Sequence, residues 1–245
     1  MNYSLLRYPG GKTRAVDILS KYVPESTKEV VSPFFGGGSF EISLIKKGIN
    51  VHAYDNFNPL VCFWYSVMNE RERLIDIIKG YYPISKDNFY RLQDSIDEIK
   101  DPAYLGAIYF VLNRASFSGT GLSGGMSPNH PRFNTSSIKR IESFEESFKI
   151  EKMSFEQSLK RHDCFVFADP PYLVNPVLYG KKGDLHKGFD HLRLSNILKD
   201  KGNFLLTYNN CEEIKDLYSG CNFYYPDWKY GMSKDKNSKE IIITK

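Results

Sequence analysis

The tetrad Asp169-Pro170-Pro171-Tyr172 joins an acid, a rigid backbone and a flat aromatic ring, a combination that a simple turn rarely needs. It follows Cys164-Phe165-Val166-Phe167-Ala168, an apolar run with the composition of a buried strand. Pro171 holds Pro170 extended, so the loop is stiff. The Asp169 carboxylate and the Pro170 carbonyl can both accept hydrogen bonds from one amino group, while Tyr172 offers a face on which a ring can stack. An exocyclic amine on a heteroaromatic ring is a poor nucleophile because its lone pair is delocalised. Two acceptors around it favour a tetrahedral nitrogen and localise that pair, by positioning and electrostatics alone. No covalent intermediate is required, and none of Cys62, Cys164, Cys211 and Cys221 is placed to suggest one.

Three further constellations suit a nucleoside ligand. In Pro33-Phe34-Phe35-Gly36-Gly37-Gly38-Ser39-Phe40-Glu41, consecutive glycines between a strand and a helix let the backbone turn sharply and approach a ligand. The dinucleotide fingerprint G-x-G-x-x-G is broken by Glu41, which disfavours a phosphate binder and leaves a nucleoside binder open. Asp55 ends the next strand, where an acid hydrogen-bonds ribose hydroxyls in nucleotide-binding folds. Arg7-Tyr8-Pro9-Gly10-Gly11-Lys12-Thr13 has the ending of a phosphate-binding P-loop, but Leu6 stands where its first glycine belongs, and no apolar strand precedes it. A kinase or ATPase is therefore excluded. The segment instead suits a carboxylate-bearing ligand beside an aromatic wall. His52, His130, His162, His186 and His191 share no metal spacing, so no metal is expected.

The elements that must position these residues alternate between strand and helix, predicting an α/β fold. Strands are expected at 29–33, 50–55, 164–169, 203–208 and 240–244. Helices are expected at 12–22, 40–47, 60–81, 86–99, 102–113 and 191–200. Residues 115–134 are rich in Ser, Gly, Asn and Pro and read as a loop or hairpin insert. In open α/β sheets ligands sit beyond the carboxyl ends of the strands, so the loops at 31–39, 55–58, 169–172 and 207–210 should face one crevice.

Composition sets the outer bounds. The 245 residues suffice for one large core or a core with a small lobe. No run approaches the length of a membrane span, and the N-terminus carries no secretory pattern; four scattered cysteines fit reduced thiols in a cytoplasmic protein. Lys and Arg number 33 against 29 Asp and Glu, a net +4 that permits nucleic-acid binding without demanding it.

Taken in order, these segments resemble the Dam-type (D12 class) adenine-specific DNA methyltransferases. The matches are Tyr8 to Lys12, Phe34 to Ser39, Asp55-Asn56, Leu112-Asn113-Arg114 with Phe117 and Gly119, and Asp169 to Tyr172. Weaker echoes lie at Phe189 to Leu192, Leu205 to Asn210 and Lys239 to Ile242. The resemblance implies a Rossmann-like S-adenosylmethionine-dependent methyltransferase fold, with a mixed, mainly parallel sheet and a small inserted DNA-recognition lobe. Residues 1–59 and 150–245 would form the catalytic domain and 60–149 the target-recognition region. It implies S-adenosylmethionine as methyl donor, contacted by Tyr8, Lys12, Phe34, Phe35, Gly36, Gly38, Asp55 and Asp169. Asp169, Pro170, Pro171 and Tyr172 would be catalytic toward a flipped-out adenine. Asn113, Arg114 and Arg132 would contact double-stranded DNA, with a cognate restriction endonuclease as a further partner. The basic stretch at 181–188 could contact phosphates, close over the target or simply be solvated, whereas 234–237 is mixed in charge and reads as a solvated hairpin. Methylation of cytosine N4 or of RNA adenine, and a non-catalytic DNA-binding relative, are the alternatives. The Asp heading the tetrad favours adenine, since cytosine enzymes usually carry Ser there.

Overall fold

A computed structural model describes residues 4–127, 132–173, 188–226 and 240–245. The basic stretch 181–187, the tail 234–237, Lys239, His130 and His186 lie outside the described residues. The first helical segment is broken: α1 (Val16–Leu19) stands between two 3-10 turns, Lys12–Arg14 and Ser20–Tyr22. Then follow β1 (Glu29–Ser32), α2 (Ser39–Lys46) and β2 (Asn50–Asp55). A helical excursion comes next: α3 (Asn58–Asn69), α4 (Arg71–Gly80), α5 (Lys86–Ser95), α6 (Pro102–Ala115) and α7 (Thr135–Glu142). The chain returns through β3 (Lys149–Lys152), α8 (Phe155–Arg161), β4 (Phe165–Ala168), α9 (His191–Lys201), β5 (Phe204–Asn209), α10 (Glu212–Leu217), β6 (Asn222–Tyr224) and β7 (Glu240–Thr244).

The strands form one seven-stranded sheet in the order β3-β2-β1-β4-β5-β7-β6. Neighbours from β3 to β5 are parallel, and β7 runs antiparallel between β5 and β6. Alternate residues serve opposite faces, as the two-residue strand period requires. Val30, Phe165, Phe167, Leu205 and Ile242 pack under α1 to α6, whereas Val31, Val166, Ala168, Leu206, Ile241 and Ile243 pack under α8 to α10. The first of these cores continues without interruption into α3, α4 and α6, so the helical excursion shares the core of the sheet.

Local chemistry explains most boundaries. Asp101 caps α6 by accepting from the Tyr104 N–H at 2.8 Å, with Pro102 in the first turn. Asn134 and Ser137 form a capping box at α7, and Asp190 caps α9. The single helix expected over 60–81 is two helices, because Glu70 leaves helical geometry at φ −137° and ψ 38°. Elements the sequence did not disclose are short or weakly apolar. β3 (Lys-Ile-Glu-Lys) buries only Ile150, which an edge strand tolerates, and α7 buries only Ser137, Ile138 and Ile141. Among the described residues, no helix is long and apolar enough to cross a membrane.

Candidate active site

The strand order reverses between β1 and β4, and the crevice beyond their carboxyl ends is where an open α/β sheet takes a ligand. A cavity of about 750 Å³ opens there. Three of the four expected loops line it, at 33–41, 55–57 and 169–172. The fourth, after β5, stands behind the tetrad. Thr207 Oγ1 donates to Asp169 Oδ1 at 2.7 Å, and the Leu173 N–H donates to Asn209 Oδ1 at 3.1 Å.

Asp169 is held by three donors in the cavity wall. Its Oδ2 accepts from Lys12 Nζ at 2.8 Å, and its Oδ1 accepts from Thr207 and, at 3.3 Å, from Tyr172 Oη. Lys12 is only 4% exposed, donates also to the Gly10 carbonyl at 2.8 Å, and lies 3.8 Å from Glu240 Oε1. Its ammonium sits 5.3 Å from the centre of the Tyr172 ring. Behind Tyr172 stands the buried ring of Tyr208, at 5.8 Å between centres, whose hydroxyl pairs with His191 Nδ1. Burial pushes the Tyr208 phenol above its ordinary range, so it stays a neutral strut.

At the other end Asp55 accepts from the Gly36 N–H and the Phe57 N–H, each at 2.9 Å. Burial outweighs these bonds and raises its carboxyl to about 6, leaving it mostly ionised at neutral pH. The glycine loop has a second anchor, since Trp64 Nε1 of α3 donates to the Gly36 carbonyl at 3.0 Å. The three glycines are required by protein packing. A Cβ on Gly36 or Gly37 would stand 2.9 or 2.8 Å from Tyr8, and one on Gly38 would stand 2.5 Å from the Phe35 ring. Gly36 and Gly38 also have φ of 50° and 66°. Tyr8 and Phe34 line the cavity; Phe35 lines it too but is a core residue, 2% exposed and edge-on to Trp64. Phe34, Phe155 and Phe189 form an apolar aromatic wall, with ring centres 5.3 to 5.8 Å apart.

The expected DNA contacts are placed unequally. Asn113 is 1% exposed: its amide accepts from the Arg7 N–H and donates to the carbonyls of Arg7 and Gly119, all at 2.9 Å. Arg114 is 8% exposed and donates from Nε to the Arg132 carbonyl at 2.9 Å. Burial, then the charges of Arg140, Arg7 and Arg132, pushes it down to about 10, so it remains a cation. Arg132 is exposed, and so is Phe117, at 66%. Sequence reasoning passed over Thr207, Trp64, Phe155 and the buried Glu41, which also lines the cavity. A signal existed for Thr207, the one aliphatic hydroxyl in the run Phe204-Leu205-Leu206-Thr207-Tyr208.

A sequence model of the D12 class N6 adenine-specific DNA methyltransferases matches residues 8–232. The chain belongs to that family. It is similar to the type II methyltransferase M.CviBI of Paramecium bursaria Chlorella virus NC1A, with 25% identity over 256 residues, 98% of this chain and 96% of that protein. It is also similar to the DNA N-6-adenine-methyltransferase of Escherichia phage P1, with 21% identity over 241 residues, 90% of this chain but 31% of that protein. The sheet described above is the Rossmann-like α/β arrangement of this methyltransferase family. The crevice between β1 and β4 is thus the candidate active site of a DNA adenine methyltransferase.

Proposed function

We propose that this methyltransferase transfers a methyl group from S-adenosylmethionine to N6 of a flipped-out adenine at a specific site in double-stranded DNA. One observation carries the reading: Asp169 is locked by Lys12 and Thr207 on the wall of a cavity whose far end presents Asp55. The cavity volume is within the range of roughly 300 to 1,000 Å³ common for small-molecule sites. Its residues fit the donor: Asp55 for the ribose hydroxyls, the wall of Phe34, Phe155 and Phe189 for the adenine ring, Tyr8 and Lys12 for the methionyl carboxylate. Bound there, S-adenosylmethionine supplies an electrophilic methyl group.

The chain's own part is to prepare the amine. Asp169 has three hydrogen bonds, and the one from Tyr172, at 3.3 Å, is the longest. The incoming N6–H donates to Asp169 in place of that bond, and the Pro170 carbonyl accepts a hydrogen bond from the second N6–H. The one proton that N6 sheds on methylation leaves to solvent, while the Tyr172 ring stacks on the base. Lys12 and Thr207 hold the carboxylate still throughout, so the acceptors are preorganised around the nitrogen. We assign 1–59 and 150–245 to catalysis and 60–149 to target recognition. There the exposed Arg132 and Phe117 can meet DNA, while Asn113 and Arg114 brace the segments that carry them. A protein that works on DNA in this way belongs in the cytoplasm with the chromosome. The name of the viral relative suggests a cognate restriction endonuclease as a partner.

Expression in a methylation-free host, followed by sequencing of modified bases, tests the reading. N6-methyladenine in one sequence context, lost in Asp169→Ala, supports it; N4-methylcytosine or unmodified DNA overturns it. Asp55→Ala should weaken binding of S-adenosylhomocysteine by about tenfold or more, as expected for loss of a charged hydrogen-bond acceptor. Unchanged affinity by calorimetry would remove its ribose role.

A further inference from the structure

Glu41 is a buried acid of the cavity that the transfer chemistry leaves unused. It sits in the first turn of α2, 3% exposed, and lines the cavity floor. Ser32, the last residue of β1, donates to its Oε1 at 2.7 Å, and its own backbone N–H is a second donor to the carboxyl. Lys12 and Asp169 both act on it electrostatically, Lys12 favouring its ionised form and Asp169 opposing it. Glu240 of β7 also lies near Lys12, at 3.8 Å from its ammonium. Among the described residues, this end of the cavity therefore gathers three carboxyl groups, Glu41, Asp169 and Glu240, around one ammonium, that of Lys12. The imbalance is suited to a second cation.

The sheet order indicates which cation. Asp55 ends β2, on one side of β1, whereas Asp169 follows β4, on the other side. A nucleoside with its ribose at Asp55 extends its tail across the end of β1 toward Glu41, Lys12 and Asp169. Resting on the proposed donor site, we infer that Glu41 receives the α-ammonium of the donor's methionyl group and, in doing so, gives up a proton.

The proton follows from the burial of the acid. Without a ligand, desolvation raises Glu41 to about 8, so it is neutral at pH 7. An ammonium beside it favours the carboxylate, and the carboxyl proton leaves to the buffer as the ion pair forms. Asp55, raised only to about 6, is mostly ionised already and contributes little at pH 7.

Calorimetry at pH 7 in two buffers of different ionisation enthalpy counts that proton. The probes are S-adenosylhomocysteine and its deaminated analogue, which keeps the nucleoside, thioether and carboxylate. Binding of the first should release about one proton from the unaltered protein. The analogue should release none, and neither should S-adenosylhomocysteine with Glu41→Gln, whose affinity at pH 8 should fall about tenfold. Both probes occupy the Asp55 end, so any proton linked to Asp55 cancels in the comparison. Binding of S-adenosylhomocysteine without proton release, or with the same release in Glu41→Gln, overturns the role of Glu41 and leaves the donor site standing. Failure of both probes to bind the unaltered protein overturns the donor site and this inference with it. The proton count on the unaltered protein does not depend on whether the variant folds.

Discussion

Replacing Asp169 by Ala removes more than an acceptor for the amine. Lys12 is 4% exposed and Asp169 22%, and their ion pair at 2.8 Å neutralises an ammonium that solvent barely reaches. Breaking a buried pair by deleting one partner costs about 3–5 kcal/mol, because the remaining charge is stranded. Glu240, at 3.8 Å from the ammonium, and the partial exposure of Asp169 place this case at the lower end, about 3 kcal/mol. Urea unfolding of Asp169→Ala should show that loss, and transfer of labelled methyl groups to DNA should be abolished. The double variant Lys12→Met/Asp169→Leu separates the two roles. With neither charge present, stability should recover to within about 1 kcal/mol of the parent while activity stays lost. A loss below about 1 kcal/mol in Asp169→Ala, or a double variant as unstable as the sum of its parts, would refute the argument.

Three other outcomes follow from buried or crowded groups. Glu41, raised from 4.5 to about 8, binds a proton in the folded state that the unfolded chain has already lost, so stability falls as pH rises through that window. Glu41→Gln should accordingly gain up to about 3 kcal/mol at pH 7 and nothing near pH 4, a trade of ligand affinity for stability read by thermal melts across pH. His162 behaves oppositely. Burial, then the charge of His52, lowers it from 6.5, and its ring stacks on that of His52 at 4.0 Å and bonds the Tyr54 hydroxyl at 2.7 Å. Its contribution is complete above pH 6.5 and is lost as pH falls through the lower folded value, so His162→Gln should flatten the acid side of the stability profile. An unchanged profile would count against it. Gly106 on α6 has space for no side chain: a Cβ would lie 2.7 Å from both N and Cα of Phe63 on α3. Gly106→Ala should force those helices apart and cost roughly 1–3 kcal/mol in urea unfolding, and a neutral result would show that they can separate freely.

The sequence by itself determined the chemistry-bearing loops and the strands that carry them. Asp55 ends a strand in which the buried Val51 and Ala53 alternate with His52, and Asp169 follows the wholly apolar run Phe165 to Ala168; both patterns are local properties that survive into the sheet. It also determined α6, whose Asp101-Pro102 start is legible in two residues. Elements stabilised from outside were not legible. β3 and α7 bury too few apolar residues to announce themselves, and they exist because an edge of the sheet and the helices beside it receive them. The same division runs through the site. The triple glycine was evident, but only the packed structure shows that Tyr8 and Phe35 need the space. Asn113 was picked out as a DNA contact, yet its amide bonds Arg7, 106 positions away in sequence, and Gly119. Lys12 and Asp169 were each singled out, while their pairing across 157 positions, with Thr207 behind and Glu41 below, required tertiary contact. Residue type and local period fix which groups face a crevice; which of them neutralise, brace or desolvate one another depends on distances that only the folded chain creates.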